Sequence, residues 1–146
     1  MSLSVAPDHI LLGQTFSSKL AVVRAIGDIM VASGEVTPRY VEGMLLREEK
    51  FSTWITRDVA LPHGANEVKS EVLRSSVVLV QIPEGLDWGE GKIIHLAIGL
   101  AGASEDLHVK MLTAIAKILQ DRNRVDQLKA AIDREEVMRI LQEGSS

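Results

Sequence analysis

The sequence predicts a layered α/β domain, and three observations carry that expectation. The run Val77-Val78-Leu79-Val80, closed by Pro83-Glu84-Gly85, has the β-branched, uninterrupted character of a buried strand. Ile93 to Ala101 is a second apolar run short enough for a strand, and segments on either side of this pair repeat apolar residues at helical spacing. Apolar residues make up 46% of the chain but aromatics only 3%, so the core must be built from Val, Ile, Leu, Ala and Met. That balance suits helices on a sheet better than an aromatic-rich sandwich. The 146 residues fit one domain, 1–146, able to bury roughly 70% of the surface an unfolded chain exposes. Met1-Ser2-Leu3 and Gly144-Ser145-Ser146 resemble vector-derived tails, so order is expected from about residue 4 to about residue 142.

In chain order, Ile10-Leu11-Leu12 reads as an edge strand or an ordered arm. Ser17 or Ser18 caps a first helix that ends before Gly34, with Leu20, Val23, Ile26 and Met30 on its buried face, widened by Val22 and Ile29. Thr37-Pro38 supplies the N-cap and first turn of a second helix through about Glu49, whose apolar side is Tyr40, Val41, Met44 and Leu45. Val59-Ala60-Leu61 is a brief strand stopped by Pro62, and Ala65 to Ser70 a polar loop. The glycine-rich stretch Gly85 to Gly91, with Trp88 in it, reads as a turn; its spacing is not that of a dinucleotide fingerprint. Ser104-Glu105-Asp106 starts a helix lasting to about Gln120, with an apolar stripe at Val109, Leu112, Ile115, Ala116 and Leu119. Two short helices follow, one centred on Val125 and Leu128, the other starting near Asp133 with Val137, Ile140 and Leu141 inward. Whether the strands run parallel or mixed is open at this point.

Several function classes are disfavoured. A net charge of −4 and a pI near 5.6 lack the basic footprint of a nucleic-acid binder. No window approaches 18 uninterrupted apolar residues, so no membrane span is expected. There is no cysteine, which removes disulfides, thiolate metal sites and a thiol nucleophile from this chain. Together with an N-terminus unlike a secretion signal, this gives a cytoplasmic location as the expectation. No HExxH motif, GxSxG elbow or Walker A motif is present, and neither a cofactor nor a metal is expected.

The stretch that organises the rest is Asp58-Val59-Ala60-Leu61-Pro62-His63-Gly64. Pro62 ends the strand and Gly64 allows a sharp turn and close approach, leaving His63 presented at a sheet margin with little freedom. An ordinary turn histidine is the plainer alternative. His108, in the first turn of a helix, stands where unpaired N–H groups favour an anion; an exposed helix-start histidine is the plainer alternative there. Arg47, near a helix C-terminus, reads first as a salt-bridged surface arginine and second as a fork for a phosphoryl group. His95 reads as a half-buried, hydrogen-bonded strand residue, and His9 as part of a mobile terminus.

Taken together, Gly34-Glu35-Val36-Thr37, Tyr40-Val41-Glu42-Gly43-Met44, Arg47-Glu48-Glu49-Lys50-Phe51-Ser52-Thr53 and Ala60-Leu61-Pro62-His63-Gly64 resemble the enzyme IIA domains of the bacterial phosphotransferase system (PTS), mannitol–fructose class. The resemblance continues through Pro83-Glu84-Gly85, Ile98-Gly99-Leu100-Ala101 and Asp106-Leu107-His108, and spans about Ser17 to Leu141, with mannitol-type members the nearest in character. It implies a single EIIA type-2 domain, a mixed β-sheet with helices on both faces, and a histidine phosphocarrier without cofactor. In such proteins the histidine matching His63 accepts a phosphoryl group, through Nε2, from the phosphohistidine of HPr. The group then passes to a cysteine of a IIB domain, which serves the membrane IIC channel. The positions matching His108 and Arg47 flank the acceptor and stabilise the phosphoryl group. One departure is Leu107, where many mannitol-type members carry an acidic residue; here Asp106 is one step back. The resemblance also admits a regulatory, nitrogen-related IIA protein that acts by phosphorylation-dependent protein binding.

Overall fold

Strand β5 (Ile93–Ala101) runs through the middle of a five-stranded sheet in the computed structural model, which describes residues 1–146. On one side it pairs antiparallel with β4 (Ser76–Asp87), which pairs parallel with the edge strand β1 (Ile10–Leu11). On the other it lies parallel to β3 (Asp58–Ala60), whose antiparallel neighbour β2 (Trp54–Thr56) is the far edge. The sheet is therefore mixed, in the order β1-β4-β5-β3-β2.

Period-2 alternation divides its side chains between two cores. Val78, Val80, Ala97 and Ala101 pack with α1 (Lys19–Ala32) and α2 (Pro38–Lys50). Val77, Leu79, Leu96, Ile98 and Leu100 pack with α3 (Glu105–Leu119), α4 (Arg122–Ala130) and α5 (Arg134–Ser145). The α/β/α layering with a central mixed sheet is thus present. Helix starts follow local chemistry: Ser18 Oγ accepts from Ala21 N–H, Ser104 Oγ from Leu107 N–H, and Asp133 from Glu136 N–H. Gly34 takes the left-handed conformation that ends α1. Thr37 stands before Pro38 as expected, but its hydroxyl donates to Glu71 and does not cap α2.

Several expectations need correction. β4 does not stop at Pro83 but runs to Asp87, because the ladder skips from Gln81↔Leu96 to Leu86↔Ile94 and the intervening residues bulge, where proline needs no donor. The turn expected over Gly85 to Gly91 is confined to Gly89–Gly91, where the β4–β5 hairpin reverses, and Trp88 beside it is 1% exposed and belongs to the core on the α1–α2 side. The polar segment after His63 is a 3₁₀-helix, Asn66–Glu71, anchored by buried Val68. Helix α3 buries Met111, Ala114, Ile115 and Ile118, with Val109 and Ala116 exposed. Its apolar residues cover so much of the circumference that two stripes fit one period, and docking on the sheet selects between them. Finally, the segments set aside as tails are structured: Leu3 is buried, and its N–H donates to the Oγ of buried Ser145 at 2.7 Å, so order extends to both sides of residues 4–142.

His9 is also fixed and buried, bonded through its two ring nitrogens to Asp8 and Glu35. No helix is long and apolar enough to cross a membrane.

Candidate active site

Because β3 and β5 are parallel, their C-terminal ends emerge at one edge of the sheet, where ligand sites of α/β proteins form. The first continues through Leu61-Pro62 to His63, and the second through Gly102-Ala103-Ser104 to α3 and His108. The two imidazole rings come within 6.0 Å, centroid to centroid, tilted by 54°. A backbone hydrogen bond from Leu100 N–H to the Pro62 carbonyl, 3.0 Å, ties one segment to the other.

His63 is half-buried, and its Nδ1 lies 2.8 Å from the Leu61 carbonyl. A carbonyl only accepts, so Nδ1 carries the proton and Nε2 keeps its lone pair. Burial pushes the His63 pKa below the ordinary histidine value, against the Leu61 hydrogen bond; the charges of Arg47 and His108 act with burial, and Glu48 against it. The ring is thereby held neutral and nucleophilic at one nitrogen.

Tyr40, assigned from the sequence only to an apolar helix face, is a site residue. Its hydroxyl accepts from Gly64 N–H at 2.9 Å and donates to the Leu100 carbonyl at 3.2 Å, so it bridges the His63 turn and the end of β5. The ring also fills the space beside Gly64: a Cβ there would lie 2.5 Å from Tyr40 Cε1. The one available signal was the phenol itself, since a buried tyrosine hydroxyl usually finds a partner. Gly102 performs a similar task for the second histidine, a Cβ at that position falling 2.7 Å from both His108 Cα and Cβ. Only glycine lets the β5–α3 connection press so closely onto His108.

Arg47 lines the same cleft as His63 and His108, an open space of about 950 Å³ between the second half of α2, the His63 turn, the 3₁₀-helix and the start of α3. Its Nη1 donates to the Phe51 carbonyl at 2.6 Å and its guanidinium stands 5.6 Å over the Phe51 ring. The salt-bridged surface arginine is therefore not what forms, and the positive charge stays available to the cleft. Lys50 and Lys69 line it too, with Ser104 at the helix start. A half-buried nucleophilic nitrogen, a second imidazole, a planar cation and a helix N-terminus suit an anionic group such as phosphoryl. The structure thus brings together all three residues singled out from sequence, His63, His108 and Arg47.

The other histidines lie outside this cleft. His95 is half-buried and hydrogen-bonded as expected, its Nδ1 2.7 Å from Asp58 at the opposite end of β3. Burial would push the Asp58 pKa up, but hydrogen bonds from Arg122, Lys129 and His95 outweigh it and hold the carboxyl far below the usual range. No group of three or more His, Cys, Asp or Glu side chains is arranged to hold a metal ion.

Residues 4–144 match the family model described as "Phosphoenolpyruvate-dependent sugar phosphotransferase system, EIIA 2". The mannitol-specific phosphotransferase enzyme IIA component of Bacillus subtilis (strain 168) is 37% identical over 139 residues, which cover 95% of this chain and 96% of that one. The crystal structure of IIA mannitol from Escherichia coli superposes with a TM-score of 0.86 at 33% identity, covering 95% of this chain and 99% of that one. A solution structure of a complex of Escherichia coli enzyme IIAMTL with phosphorylated enzyme IIBMTL gives 0.87 at 33% identity, covering 94% and 96%. Near-complete coverage in each case leaves one conclusion: this chain belongs to the EIIA type-2 family of the phosphoenolpyruvate-dependent sugar phosphotransferase system, and is a phosphotransferase component.

Proposed function

We propose that the chain is a phosphocarrier that takes a phosphoryl group from phospho-HPr onto His63 Nε2 and passes it to the cysteine of a IIB domain, for uptake of mannitol or a related alditol through a IIC channel. The observation that carries this reading is the hydrogen bond between His63 Nδ1 and the Leu61 carbonyl, which fixes the tautomer and leaves Nε2 as the nucleophile. The similarity to mannitol-specific enzyme IIA components, and to an enzyme IIA solved with phosphorylated IIB, supports the sugar class and the acceptor.

The Nε2 lone pair attacks phosphorus as the donor's P–N bond breaks, through a loose transition state that the protein stabilises mainly by position and charge. Nδ1 keeps its proton, so the ring gains imidazolium character while the Leu61 carbonyl holds its orientation. Arg47 and His108 offset the negative charge on the equatorial oxygens. A thiolate sulfur of the partner then attacks phosphorus, the Nε2–P bond breaks, and His63 returns to the neutral form. The thiol belongs to the partner, because this chain has no cysteine. The reaction uses no cofactor and takes place in the cytoplasm.

Incubation with phosphoenolpyruvate, enzyme I and HPr should label the chain with an acid-labile phosphoryl group, and His63→Ala should abolish the label. Labelling that survives His63→Ala contradicts the assignment. Onward transfer to a mannitol-class IIB domain is expected; a stable protein complex without transfer would identify a regulatory, nitrogen-related IIA protein instead.

A further inference from the structure

Next to Arg47 on α2 stands a buried carboxylate that the mechanism above does not use. Glu48 is 1% exposed and lies close to the helix C-terminus, where the dipole disfavours negative charge. Its oxygens accept from Thr53 N–H at 2.9 Å, from the Thr53 hydroxyl and from Trp88 Nε1–H at 3.1 Å, and the Lys19 ammonium stands 3.7 Å away. Each of these hydrogen-bonding groups donates to it, so its oxygens act as acceptors. A charge buried this deeply carries a desolvation penalty that an apolar side chain of similar volume would avoid.

The hydrogen bonds lead from there toward the reactive ring. Thr53, held through its N–H and hydroxyl by Glu48, accepts from Leu61 N–H at 2.9 Å with its own carbonyl. Leu61 in turn accepts from His63 Nδ1–H at 2.8 Å. We propose that Glu48 is a positioning residue for the phosphoryl acceptor: through Thr53 and Leu61 it fixes the His63 ring, and its charge favours the imidazolium character the ring gains during transfer. This rests on the phosphocarrier reading of the site. The other charged or titratable groups acting on the ring, Arg47 and His108, both oppose a positive charge on it, and Glu48 acts in the opposite sense.

Glu48→Gln keeps the shape and removes the charge. In the unphosphorylated protein, ¹⁵N-edited histidine spectra should show the His63 titration midpoint moving to lower pH and the Nδ1–H tautomer less populated. Single-turnover transfer from phospho-HPr should slow about tenfold, with the concentration dependence on phospho-HPr unchanged. Lower thermal stability with an unchanged His63 midpoint and tautomer would reduce Glu48 to packing and overturn the proposal. Should Glu48→Gln not fold, Thr53→Val removes only the hydroxyl link and should speed solvent exchange of the His63 Nδ1–H; unchanged exchange overturns the proposal equally. If the wild-type chain takes no phosphoryl group from phospho-HPr, the phosphocarrier reading fails, whereas the donor-free titration still decides the role of Glu48.

Discussion

Replacing Tyr40 by phenylalanine removes a single oxygen from the structure and leaves the ring against Gly64 in place. That oxygen is the partner of Gly64 N–H and of the Leu100 carbonyl, so two backbone groups lose a hydrogen bond at once. Gly64 is half-buried and water can replace its partner, whereas Leu100 is fully buried and cannot be rescued so easily. An unsatisfied buried polar group costs about 1–3 kcal/mol, and Leu100 alone sets that scale here. For a chain of this length the melting temperature should fall by about 3–9 °C. The same loss frees the His63 turn from the end of β5, so labelling by phospho-HPr should slow as well, since small misplacements of reacting groups are expensive. Differential scanning calorimetry and timed labelling measure the two effects. A Tyr40→Phe protein with wild-type melting temperature and wild-type labelling rate would refute the claim that this hydroxyl joins the two histidine-bearing segments.

Two further perturbations probe other parts of the account. Gly102→Ala places a methyl group 2.7 Å from the His108 backbone, so the connection must move; the domain should stay folded, lose about 1–3 kcal/mol in urea unfolding, and transfer phosphate more slowly, while wild-type transfer would show that His108 need not be held there. At His9, burial lowers the pKa, but hydrogen bonds and charges from Glu35 and Asp8 outweigh it and the net shift is upward. Its stabilising contribution is therefore complete below the unfolded-state value of about 6.5 and disappears as pH rises through the higher folded-state value. Urea midpoints across that range should fall with rising pH more steeply in the wild type than in His9→Gln, and parallel curves would contradict the assignment.

How much of this was legible in the sequence depended on the range of the interactions. His63 stood out because Pro62 and Gly64, its immediate neighbours, define the turn that presents it. The bounds of β5, the cap at Ser17 or Ser18, which the structure assigns to Ser18, and the helix starts at Ser104 and near Asp133 were equally local. Arg47 and His108 were ambiguous one at a time, because their meaning comes from the cleft that α2 and α3 share with the His63 turn. Tyr40 could be seen as apolar bulk and Trp88 only as part of a turn, because the destinations of their polar atoms, Leu100 and Glu48, lie on other elements. The continuation of β4 past Pro83 was hidden because a bulge lets a strand tolerate a residue that would end a regular ladder. His9 and Ser145 were misjudged as loose ends, since their partners, Glu35 and Leu3, are remote in the chain.

The central claim is that the Leu61 carbonyl, by holding the proton on Nδ1, makes Nε2 of His63 the atom that bonds phosphorus. Heteronuclear NMR of the ¹⁵N-histidine-labelled protein after phosphorylation by phospho-HPr tests it most directly. Phosphorus coupled to His63 Nε2, with Nδ1 still protonated, is the result predicted. Phosphorus on Nδ1, or on His108, would contradict it.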